Sequence, residues 1–161
     1  MPVRLSLLAA APLAAALAIS PLALAQDAPG PDGVVRVKSA YPLDVTIARL
    51  KADIAAKGIL FFSEVDQAQL AASAGIELAP STLLTFGNPP LGVQFITAKP
   101  EAGLDWPVRL LVQEDRNGDV WAVYTDFAWI AKRHGIRDRD EQFRTASGVV
   151  ASITSTIRAR P

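Results

Sequence analysis

Cysteine is missing from this chain, histidine occurs once, at position 134, and methionine only at position 1. The first absence excludes a disulfide, a thiolate nucleophile, an iron–sulfur cluster, a covalently attached C-x-x-C-H haem and a lipidated N-terminal cysteine. A single imidazole excludes a zinc site built from two or three histidines of one chain. Burial and backbone pairing alone must hold the fold. Charge of one sign is not in excess either, with 16 basic residues against 16 acidic ones. Such a chain has no global field with which to gather nucleic acid or anionic lipid.

A long apolar run occurs only at the start. Arg4 precedes an Ala/Leu-rich stretch from Ser6 to Leu22, and Ala23-Leu24-Ala25 stands before Gln26. This reads as a secretory leader with an A-x-A cleavage site, interrupted by Pro12 and Pro21. No second hydrophobic span follows, so the expectation is a periplasmic or secreted domain with no membrane insertion once the leader is cut. Taking 25 residues from 161 leaves 136, enough for one domain with a sizeable core. The leader takes only Arg4, which leaves 15 basic residues against 16 acidic ones. It also inflates the mean hydropathy of +0.25. Residues 26–32, Gln-Asp-Ala-Pro-Gly-Pro-Asp, are expected to form a flexible linker, and residues 33–161 a single domain.

Along that domain, Val34–Val37 reads as a strand. Leu43, Ile47, Leu50 and Ile54 recur at helical spacing after Pro42, and Gly58 supplies the stop. Ile59–Val65 is a strand apolar on both faces at its start, which predicts a central position covered by helices or by a partner. A short helix over 67–74, a strand over 82–86 and a short helix over 91–98 follow. The runs 108–114 and 120–125 flank Asn117-Gly118, a strong hairpin signal whose turn calls for positive φ. Asp126 stands where a helix N-cap belongs, with Lys132-Arg133-His134 at that helix's end and Gly135 beyond. Phe143, Ala146, Val150, Ile153 and Ile157 stripe the last helix, which starts near Asp138. The expected fold is α+β: one two-layer domain of about five mostly antiparallel strands with helices packed on one face. A parallel α/β sheet is the alternative, since strand and helix alternate from Gly33 to Phe86.

Several separated motifs carry a family resemblance. They are the strand from Gly58 to Glu64-Val65-Asp66, Leu84-Thr85-Phe86-Gly87-Asn88-Pro89, Gly103-Leu104-Asp105-Trp106-Pro107, Glu114-Asp115 with Asn117-Gly118 and Trp121, then Tyr124, Asp126 and Arg133-His134-Gly135. From about Ser39 to Ile157 the chain resembles the bacterial domain of unknown function 302 family. The resemblance implies a compact α+β domain with a mostly antiparallel sheet, usually a homodimer, and no established activity. Many such relatives place a His after the Asp that ends the second strand, whereas here Asp66 is followed by Gln67. Gln67 can hydrogen-bond but cannot titrate near neutral pH, so a role needing imidazole there is in doubt for this member.

The candidates for chemistry each have a plainer reading. His134 could ligate a non-covalent haem or act as a base, yet a His at a helix C-terminus also simply complements the dipole. Glu64, Asp66, Asp105, Glu114 and Asp115 could supply a carboxylate pair for an enzyme using His134, but nothing in the sequence says which of them meet. Asp115-x-Asn117-x-Asp119 has calcium-loop spacing but puts Val120 where the loop needs Gly. Gly87 to Gly92 has phosphate-loop glycine spacing, but Val93 replaces the lysine and Pro89 and Pro90 lack the amide donors. Rim-forming turn residues and amphipathic aromatics suit a ligand pocket better. Phe86, Gly87, Asn88, Pro89, Trp106, Tyr124 and His134 are therefore the ligand-binding candidates, with no metal and no cofactor expected. The reading that results is a non-enzymatic homodimeric module for a small ligand or a partner protein, with no nucleic-acid role.

Overall fold

The computed structural model describes residues 28–159. The leader expected over residues 1–25 lies outside the described residues, as do Gln26, Asp27, Arg160 and Pro161. In chain order the elements are β1 (Val34–Lys38), α1 (Leu43–Ala56), β2 (Leu60–Asp66), α2 (Gln67–Ser73), β3 (Ser81–Gly87), α3 (Pro89–Ala98), a 3-10 helix at Pro100–Leu104, β4 (Val108–Glu114), β5 (Val120–Thr125), α4 (Phe127–His134) and α5 (Asp140–Ser155).

One five-stranded sheet runs in the order β1-β5-β4-β3-β2, and every neighbouring pair is antiparallel. The fold is α+β. A parallel α/β sheet is ruled out because no two neighbouring strands are parallel; β1 and β2, the strands α1 joins, sit on opposite edges with three strands between them. Register decides which side chains meet the helices: Val37 lies opposite Ala122, Val112 opposite Ala122, and Leu84 opposite Leu110. All five are at most 1% exposed. They face Leu50 and Ile54 of α1 and the stripe of α5, where Phe143, Ala146, Val150, Ile153 and Ile157 are all buried. Ile157 keeps its place in the core although α5 ends at Ser155. α1 departs from its apolar stripe at Thr46, which is fully buried. The Thr46 hydroxyl lies 2.6 Å from Ser39 Oγ and donates to Tyr41 O at 3.1 Å, so the end of β1 is tied to α1 through satisfied polar groups.

Three local expectations need correction. β2 is an edge strand, not a central one, because among the described residues only β3 hydrogen-bonds it. α3 begins at Pro89, two residues before the expected start: prolines are tolerated in a first turn, whose N–H groups have no helical partner. The β4–β5 tip uses one positive φ, where the two-residue turn usual for Asn-Gly would use two, since Gly118 at φ 80° is the only residue of that turn in the left-handed region. Gly118 N donates to Asp115 O at 3.0 Å and Asp115 N to Asp119 O at 2.9 Å, the pattern of a type I turn closed by a glycine bulge. Asp115 Oδ1 accepts from the amides of Asn117 and Asp119 and Oδ2 from the Trp121 indole at 2.9 Å. The indole donor first, then the Asn117 amide, hold this carboxyl below the usual aspartate range. Its contribution to stability is therefore complete above the unfolded value and fades only as acid protonates the folded carboxylate.

The caps of α4 are as expected. Asp126 accepts from Trp129 N at 2.9 Å, and Gly135 ends α4 at φ 66°. Gly30 to Gly33, beside and within the segment read as a linker, form a turn with Gly33 N donating to Gly30 O at 2.9 Å.

Candidate functional site

Where β3 ends, the Gly87-Asn88-Pro89-Pro90-Leu91-Gly92 run turns the chain into α3. Asn88 is the N-cap, its side chain accepting from Leu91 N at 3.3 Å, while Pro89 and Pro90 fill the first helical positions. The two glycines have one shared purpose. A Cβ on Gly87 would lie 3.2 Å from the Trp106 ring, and a Cβ on Gly92 would fall inside the van der Waals envelope of Trp106 Nε1. The indole thus packs directly on two stretches of bare backbone. Phe62 of β2 meets it from another side, edge-on, with centroids 6.1 Å apart.

This packing forms one wall of a pocket of about 530 Å3 between the turn before β2, the end of β3, α3 and α5. Phe86, Leu91, Phe95, Trp106, Val108 and Val149 make its lining largely apolar, while Lys57, Asn88, Gln94 and Thr145 supply polar groups. Lys57 Nζ pairs with Asp53 Oδ2 at 2.7 Å. Phe95 in turn stacks on Phe143 at 4.2 Å, which ties the pocket floor to α5.

Of the candidates read from sequence, Phe86, Gly87, Asn88 and Trp106 converge on this pocket, and Pro89 stands beside it in the first turn of α3. Tyr124 lies elsewhere. It lines a larger, more polar cleft of about 780 Å3 between β1, α4 and α5, with Asp126, Asp140, Arg144 and Arg158.

His134 forms a third feature. Its Nε2 lies 2.6 Å from Asp105 Oδ2, and the two side chains are only 6% and 10% exposed. Arg133 donates to both Asp105 oxygens at 3.1 Å, and Arg109 approaches one at 3.9 Å. The pairing joins the end of the 3-10 helix to the end of α4. It engages Nε2, one of the two imidazole nitrogens of His134. The other carboxylates are spread out: Glu64 pairs with Lys51, Asp66 caps α2 and Asp115 holds the hairpin tip. Gln67, at the position where many relatives carry His, accepts from Ser81 Oγ at 2.8 Å. Among the described residues no three His, Asp or Glu side chains gather as a metal site. Sequence reasoning placed Asp105 among five candidate carboxylates for His134 but could not select it, since no local pattern links residues 29 apart.

The motifs assembled around this pocket and clasp are those of one family, whose model, the domain of unknown function DUF302, matches residues 35–153. The chain belongs to the DUF302 family. An uncharacterised conserved DUF302 protein of Bacillus stearothermophilus has the same fold, with a TM-score of 0.72 at 16% identity, over 78% of this chain and 98% of that one. Among curated proteins, the fluoride-specific ion channel FluC 1 of Brucella suis is 39% identical over 104 residues, 65% of this chain and 41% of the channel protein. FluC 2 of Brucella melitensis is equally similar, with 38% of its length covered. This DUF302 chain thus spans about two-fifths of the length of the curated relatives it matches. Among the described residues no helix is long and apolar enough to cross a membrane.

Proposed function

We propose that this DUF302 domain is an exported, non-catalytic binding module that works as a homodimer and takes a small amphipathic molecule into the Trp106 pocket. The observation that carries the reading is the pocket itself: about 530 Å3, walled by aromatic and aliphatic side chains, with few polar groups. That size and chemistry are typical of small-molecule sites. n-Decanol and decanoate serve as neutral and anionic probes. A probe at tenfold its Kd stabilises the fold by about 1.4 kcal/mol, a rise in melting temperature of about 5 °C. Val149→Trp, which fills the pocket from α5, abolishes that rise for the probe that binds. No shift with either probe at its solubility limit would overturn the reading.

A second reading, partner binding, is favoured by the relatives. Proteins named fluoride-specific ion channels contain a segment 39% identical to this domain, which supports a role beside such a channel. Removing this protein from cells that carry a fluoride channel then lowers their tolerance of sodium fluoride, and unchanged tolerance rejects the role.

A further inference from the structure

In β2, sequence and position disagree. Leu60-Phe61-Phe62 has the pattern of a strand covered on both faces, yet it lies at a sheet edge, with these residues 53%, 38% and 46% exposed. The opposite edge, β1, is protected in the usual way. It is short and carries Arg36 and Lys38, paired with Asp32 at 3.2 Å and Asp119 at 2.6 Å. β2 carries no Lys, Arg or Pro. A bulge between Phe61 and Ser63 bends it, and Lys51 reaches over Phe61 to Glu64, but among the described residues no strand pairs with its outer edge.

We propose that β2 pairs with β2 of a second copy, antiparallel across a two-fold axis at Ser63, joining the two sheets into one. This rests on the homodimer reading above and gives it a surface. Charge argues against the neighbouring register. An axis at Glu64 would set two carboxylates against each other, whereas an axis at Ser63 sets Glu64 opposite Phe62 of the partner subunit. Pairing of like edges also closes at two copies, while the protected β1 edge gives a third copy no strand to extend. A heterologous peptide would meet neither condition as a matter of course. Because Phe62 stands against Trp106, the second copy is seated beside the wall of the ligand pocket.

A chain without cysteine makes Ser63→Cys a single-site probe. Directly opposed residues of an antiparallel pair are about 4.5–5.5 Å apart at Cα, within disulfide reach. The leader-free protein is expected to sediment at twice its monomer mass at micromolar concentration. On mild oxidation Ser63→Cys forms a covalent dimer, and Arg36→Cys on β1 does not. Phe62→Glu, facing Glu64 of the partner subunit, weakens the dimer at least tenfold, while Phe62→Lys spares it. A monomer at that concentration, or a dimer indifferent to the sign of the charge and not cross-linked through residue 63, overturns the proposal. Circular dichroism of each variant separates lost pairing from lost folding. Decanol binding by reduced Ser63→Cys, which leaves Phe62 and the Trp106 wall untouched, separates failure of this interface from failure of the pocket reading.

Discussion

Gly92→Ala is expected to lower the melting temperature by about 10 °C, a loss of roughly 3 kcal/mol for a domain of this size. Two effects oppose each other. Alanine is intrinsically better than glycine in a helix by about 1 kcal/mol, which favours the substitution. The new methyl group, however, would overlap Trp106 Nε1, and the indole has little room to retreat because Gly87 backs it at 3.2 Å and Phe62 flanks it. Overpacking wins. Gly148→Ala is the control, since a Cβ at that position in α5 meets nothing within 4 Å. It should raise the melting temperature by about 3 °C through helix propensity alone. If both substitutions raise it, Trp106 is not wedged between bare backbones, and the pocket wall is softer than its geometry implies.

Asp105→Ala is expected to cost about 2 kcal/mol, seen as a drop of about 7 °C in thermal melts at neutral pH. The loss comes chiefly from His134, whose ring is 6% exposed and has its short contact only with this carboxylate. Arg133 and Arg109 contribute less. Their side chains are 44% and 52% exposed and can turn to water once the carboxylate is gone. Asp105→Asn, which keeps an acceptor oxygen, should cost about half as much, and Arg133→Ala less than about 0.5 kcal/mol. A melt of Asp105→Ala within about 1 °C of the parent would show that the clasp between the 3-10 helix and α4 carries no weight. If decanol still binds such a variant, clasp and pocket act separately.

What could be read from residue order was what depends on near neighbours. The α5 stripe from Phe143 to Ile157, the Asp126 and Gly135 caps of α4 and the Asn117-Gly118 tip all follow from spacings of a few residues, and each stands where expected. The pocket was half legible. Turn chemistry drew attention to Gly87-Asn88-Pro89 and amphipathic aromatics to Trp106, but nothing joined the two. The indole is 19 residues from Gly87 and 14 from Gly92, and only the return of the chain through the 3-10 helix brings it between them. The same holds for Tyr124, grouped with Trp106 by residue type but placed in a different cleft.

Amino-acid order alone determined that this chain has no thiol, a single imidazole and balanced charge, and it marked out the helices and strands by their spacing. Tertiary structure alone decided that Asp105 meets His134, that two glycines receive Trp106, and that β2 lies at an open edge. The division has a physical cause. Helix periodicity, caps and tight turns are set by contacts within about four residues, whereas strand order and side-chain pairing are settled when remote segments compete to bury the same apolar surface.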